Sequence, residues 1–115
     1  MLPKINRLKK KRDFEIVFEK GKSSRDNFLA LRAAPNNSEI SRFGFIVSKK
    51  ISKKAVVRNK IRRRLSFAIE QEIKNIKKGV DVILVALPGI EKKEFSEIQE
   101  AVKGALNRVK LTSTP

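Results

Sequence analysis

Between Lys49 and Arg64 the chain reads KKISKKAVVRNKIRRR, in which nine of sixteen residues are Lys or Arg and none is acidic. The run is not a loose tail, because it passes into an apolar pattern with helical spacing. Val57, Ile61, Leu65, Ala68, Ile69, Ile73 and Ile76 fall on one side of a helix beginning near Lys54 and ending before Gly79. Asn59, Lys60, Arg63 and Arg64 cluster on the opposite side. Arg58 and Arg62, one turn apart, border the apolar stripe, where their stems rest on the core while their heads reach outward. A face this basic repels itself. It is tolerable where the phosphates of a polyanion lie against it.

The rest of the composition sharpens this. Net charge is +16 over 115 residues, with 40% hydrophobic residues, which suits one folded domain and not a disordered basic tail. Residues 40–69 hold ten Lys or Arg and no acid, so the excess points at one place. Partners should be polyanions: RNA, DNA or an anionic membrane. The chain has no Cys and no His, which removes disulfides, thiolate chemistry, the usual zinc ligands and His-based acid–base catalysis. The longest apolar run, Val82 to Leu87, is far short of the ~20 residues of a membrane span. The start, MLPKINRLKKKR, lacks an apolar segment after its charges, against a secretory signal; a mitochondrial presequence is the alternative for it. A cytoplasmic setting fits.

Short-range patterns outline the remaining elements. A helix is expected over Arg12–Lys20, with Phe14, Val17 and Phe18 on one face and Gly21 as its stop. Strands are expected over Asn27–Ala34 and Arg42–Lys49, joined as a hairpin through Pro35-Asn36-Asn37-Ser38. Lys22–Arg25 reads as a short strand or a loop. Val80–Leu87 is a continuous apolar strand carrying Asp81, of the kind covered on both faces. The last helix, Glu94–Val109, turns Phe95, Ile98, Val102, Ala105, Leu106 and Val109 inward. The ends, 1–11 and 111–115, read as flexible flanks of a single α+β domain spanning 1–115.

Arg58-Asn59-Lys60-Ile61-Arg62-Arg63 resembles the "RNR" helix of the bacterial ribonuclease P protein subunit. There Arg-Asn-Arg is followed by x-Lys-Arg; here Lys60 stands for the second Arg and Arg62 for the Lys. Arg7-Leu8, Asp13-Phe14, Val17-Phe18, Gly21, Gly44, Val47-Ser48-Lys49-Lys50 and Ala55 also match that family's pattern, in order along nearly the whole chain. The chain departs from it at Ser66-Phe67, where relatives often run on to Arg-Glu. It departs again at Leu31, where some relatives carry a Tyr that stacks on leader RNA.

The resemblance implies a small αβββαβα sandwich, like the second domain of ribosomal protein S5, with a left-handed β–α–β crossover against the general rule. It implies a subunit that is not itself the catalyst. A ribonuclease P RNA carries Mg2+ and cleaves precursor tRNA; the protein binds that RNA and the 5′ leader and holds no cofactor of its own. No protein partner is implied. The RNA-binding residues would be Arg58, Asn59, Lys60, Arg62 and Arg63 on the motif helix, with Lys53, Lys54 and Arg64 as further basic surface. Phe14, Phe18, Lys49 and Lys50 would line the leader cleft. Stacked bases on Phe14 and Phe18 are one use of those rings, and filling the core is the other. Lys9, Lys10, Lys11 and Arg12 are a looser patch. Glu94, Glu97 and Glu100 are read as a solvated face rather than a metal site. A ribosomal or general RNA-binding module, a DNA-compacting protein and a stand-alone nuclease are the competing readings.

Overall fold

The computed structural model describes residues 2–112. It holds α1 (Lys11–Lys20), β1 (Lys22–Arg25), β2 (Leu29–Pro35), β3 (Arg42–Ile46), α2 (Ala55–Glu72), β4 (Val80–Ala86) and α3 (Phe95–Arg108), which is the order αβββαβα. Single 3-10 turns occur at Lys4–Asn6, Ile73–Asn75 and Ile90–Lys92.

The strands form one sheet in the order β1-β2-β4-β3. The expected hairpin between β2 and β3 is therefore corrected: β4 lies between them, antiparallel to β2 and parallel to β3. The physical reason is burial. Val82, Ile83 and Leu84 are fully buried on alternating sides, so this strand needs neighbours on both edges and cover on both faces. The parallel β3–β4 pair then requires a crossover, and α2 supplies it. The hairpin that does form joins β1 to β2 through Asp26–Phe28, with Asp26 N–H donating to the Leu29 carbonyl at 2.8 Å.

The two faces of the sheet are covered unequally. α2 and α3 cover one with Ile61, Leu65, Ile69, Ile98, Val102 and Leu106, packed on Leu29, Leu31, Phe43, Val82 and Leu84. The other face carries α1, of which Val17 alone is fully buried, over Ala34 and Ile83. Ile46 and Val85 are left half-buried there.

Two further expectations change. β3 stops at Ile46, and Ser48 to Ile51 form a turn closed by Ile51 N–H to the Ser48 carbonyl at 3.0 Å. The N-terminal flank is also anchored. Leu2 enters the larger core and Leu8 the smaller one, while Leu8 N–H donates to the Phe43 carbonyl at 2.9 Å. Two buried leucines explain why this basic segment is held. At the other end Leu111 and Thr112 are buried, and Thr112 bridges Ile76; residues 113–115 lie outside the described residues.

Candidate nucleic-acid interface

α2 begins without help from a capping side chain and without an acid in its first turn. Its positive helix end therefore adds to the surrounding cations instead of being offset. Leading into it, the buried Ile51 pins a loop that leaves Lys49, Lys50, Lys53 and Lys54 exposed. On the helix, Asn59, Lys60 and Arg63 are exposed, Arg58 and Arg62 half-buried, and Ile61 and Leu65 fully buried. The 3.6-residue period thus places Asn59, Lys60 and Arg63 outward as expected, with Arg58 and Arg62 along the border, whereas Arg64, expected on the outward side, is half-buried.

Local bonds then divide these side chains. Arg58 Nη1 donates to the Ser52 carbonyl at 2.9 Å, tying the loop back onto the helix. Arg62 donates to the side-chain oxygen of the exposed Asn59, one turn away, so the Asn59 amide keeps its NH2 as a donor. Arg64 Nη1 reaches the Lys93 carbonyl at 3.2 Å and so braces α2 against the segment before α3. Lys60 and Arg63 make no hydrogen bond or ion pair among the described residues. None of the cations from Lys49 to Arg64 forms a salt bridge there.

On the other face, α1 separates its two phenylalanines. Phe14 lies on Gly44: a Cβ at that glycine would stand 2.5 Å from Cζ of the ring, so the close approach needs glycine. Its ring joins the Leu8–Val17–Ile83 cluster. Phe18 is 39% exposed, with the Arg32 guanidinium 5.7 Å from its ring centroid and donating to its own carbonyl. Arg32 was absent from the sequence-derived residues. Strand alternation was the available signal, because Leu29, Leu31 and Ala33 turn inward and send Arg32 to the α1 face.

That alternation also corrects the reading of Leu31. It is fully buried beneath α2 and α3, on the face away from the cleft, so a stacking Tyr at this position has no counterpart in the α1 face. Ser66 is likewise buried, and Phe67 packs against the ring of Phe95 of α3. The Ser66-Phe67 departure therefore bears on the helical layer and not on the cleft.

At the edge of the α1 face lies a network that sequence reading missed. Arg42 donates to both oxygens of the buried Asp81 at 2.9 and 2.7 Å and to Asp13 at 3.2 Å. Asn36 Nδ2 donates to Asp81 at 2.8 Å. The hydrogen bond to Asp81 makes Arg42 hold its proton more tightly than an ordinary arginine, against the opposing effect of its partial burial. The acids of α3 have a local use: Glu97 accepts the Glu94 backbone N–H at 2.9 Å, half of a capping box.

A family model described as Ribonuclease P matches residues 2–110. The chain belongs to the ribonuclease P protein family. A ribonuclease P protein component from a Pseudanabaena species is 33% identical over 112 residues, covering 96% of this chain and 97% of the relative. One from a Synechocystis species is 42% identical over 88 residues, covering 76% and 71%. Among solved structures, the RNase P protein of Staphylococcus aureus superposes with a TM-score of 0.87 at 28% identity, covering 96% of this chain and all (100%) of that one. The RNase P protein of Thermotoga maritima gives 0.79 at 27%, covering 94% and 98%. A further S. aureus structure, with a TM-score of 0.85 at 28% identity over 92% and 89%, is described as an RNase P protein mutant with defective mRNA degradation activity. The αβββαβα order expected from the resemblance along the chain is thus the order found.

Proposed function

We propose that this chain is the protein subunit of a ribonuclease P holoenzyme, holding the RNA subunit and the 5′ leader of precursor tRNA so that the leader is removed. The observation that carries the reading is the uncompensated basic face running from Lys49 to Arg64. Lys60 and Arg63 are exposed and have no bond within the described residues, so their charges are available to phosphates, Arg as a bidentate fork and Lys as a point charge. Arg62 and Asn59 act as a pair, the arginine holding the amide oxygen so that the NH2 remains a donor. Arg58 spends one N–H on the loop and keeps the others for RNA. Lys49, Lys50, Lys53, Lys54 and the spare donors of Arg64 widen the same field.

The leader lies on the thinly covered α1 face, where Phe18 offers a ring to a base and Arg32 a charge to its phosphate. Phe14 supports that surface from below. Hydrolysis itself belongs to the RNA subunit, whose Mg2+ supplies the activated water. The protein's part is orientation and charge neutralisation, which lowers the metal needed. The setting is the bacterial cytoplasm; no helix among the described residues is long and apolar enough to cross a membrane.

The test is cleavage of a precursor tRNA by a bacterial ribonuclease P RNA at low Mg2+, with and without the protein. Strong cleavage only with both supports the proposal. No effect from folded protein refutes it and favours a general RNA-binding role. A second reading, cleavage of RNA by the protein alone, is prompted by the S. aureus mutant described for mRNA degradation. A protein-only arm distinguishes it: cleavage there, by contaminant-free protein, would favour that reading.

A further inference from the structure

Phe67 and Phe95 form an aromatic pair on the helical layer, with ring centroids 5.3 Å apart and planes tilted by 43°. Phe95 packs against the core, but Phe67 is 49% exposed, so one ring is held by its neighbour and still offers a free surface. Arg63 and Arg64 precede Phe67 by four and three residues, placing both on the helical neighbourhood of that ring. Arg64 is in turn fastened to the Lys93 carbonyl at 3.2 Å, and Lys93 Nζ stands 5.3 Å from the Phe28 ring centroid. Glu70 follows Phe67 by three residues and Glu94 precedes Phe95, so acids begin where the pair stands and it marks the border of the basic face.

We propose that Phe67, backed by Phe95, stacks an unpaired base of the RNA subunit while Arg63 binds an adjoining phosphate. This rests on the functional reading above. A base is flat and indifferent to sequence in its stacking, and an aromatic ring beside a cation is the combination that captures it. Four residues, a rise of about 6 Å, separate Arg63 from Phe67, so the cation and the ring are neighbours on one side of the helix. The occupant is the RNA subunit and not the leader. Phe67 belongs to the α2–α3 layer, whereas Phe18 and Arg32 belong to the opposite face of the sheet, so a strand lying along α1 does not reach it.

The experiment compares wild-type protein, Phe67→Leu and Phe67→Tyr for binding to a bacterial ribonuclease P RNA and, separately, to a single-stranded leader oligonucleotide. Phe67→Leu keeps an apolar side chain against Phe95 but removes the ring. It should lose about 5- to 150-fold in affinity for the RNA subunit, with leader binding unchanged and the thermal midpoint lowered only slightly by loss of the ring pair. Phe67→Tyr should bind as wild type. An RNA affinity of Phe67→Leu equal to wild type overturns the proposal, as does an equal loss toward the leader. Ultraviolet crosslinking of the wild-type complex checks the same contact without any variant: the peptide carrying Phe67 should join the RNA subunit, and its joining only the leader refutes the assignment. Failure of wild-type protein to bind the RNA subunit at all would instead sink the functional reading, and this one with it.

Discussion

Arg42, at the start of β3, and Arg63, on α2, carry the same charge on opposite faces of one sheet and meet opposite surroundings. Arg42 is enclosed by Asp81, Asp13 and, through Asp81, by Asn36. Its charge is spent on joining α1 to two strands. Arg63 has no acid within bonding reach among the described residues, and the cations around it share that state. Their mutual repulsion is a standing cost, which phosphates at the proposed interface would relieve. The lesson is that a basic count does not locate an interface; the partners of each cation do. Exposed ion pairs contribute little, and buried ones are costly to break.

The comparison is broken most severely at the engaged end. Arg42→Met leaves Asp81 buried with Asn36 as its remaining partner, and should cost about 3 kcal/mol of stability. Denaturant unfolding measures it, and a loss under 1 kcal/mol would mean the network is ornamental. Gly44→Ala comes next, at about 2 kcal/mol, because its methyl must displace the Phe14 ring. Pairing it with Phe14→Leu, which removes the obstructing ring edge, should return part of that loss; no recovery would place the strain elsewhere. Phe18→Ala should weaken leader binding by about 1 kcal/mol or more at unchanged stability. If the thermal midpoint fell instead, Phe18 would belong to the core with Phe14. The smallest expected effect is from pH. Because Arg42 has its pKa raised, its contribution is complete below the ordinary arginine range and is lost only as pH rises through the still higher folded value. The stability gap between wild type and Arg42→Met should therefore be the same at pH 6 and pH 9.

Much of this was legible along the chain, and the failures share a cause. The inward stripe of α2 and its bordering Arg58 and Arg62 follow from a period that needs only local spacing. The apolar run of β4 announced a strand covered on both faces. It did not announce that β4 separates β2 from β3, because strand order depends on which distant edge an all-apolar strand claims. Leu2 was overlooked, and Leu8 was noticed only for its family match and not as core, since isolated leucines in a basic segment have no period to betray them. Asp81 drew notice as a charge in an apolar strand, but its partners Arg42 and Asn36 are 39 and 45 residues away. Phe14 and Phe18 share a helical face on paper. Only the close approach of Gly44 shows that one ring is packed while the other faces solvent.

The most direct test is the salt dependence of binding to a bacterial ribonuclease P RNA, measured for wild type, Arg63→Ala and Arg42→Met under conditions where all three are folded. Each phosphate contact adds about −0.7 to −0.9 to the slope of log K against log salt. Arg63→Ala should make the slope shallower by about that amount, and Arg42→Met should leave it unchanged. A shallower slope for Arg42→Met, with Arg63→Ala matching wild type, would contradict the account and move the RNA to the other face of the sheet.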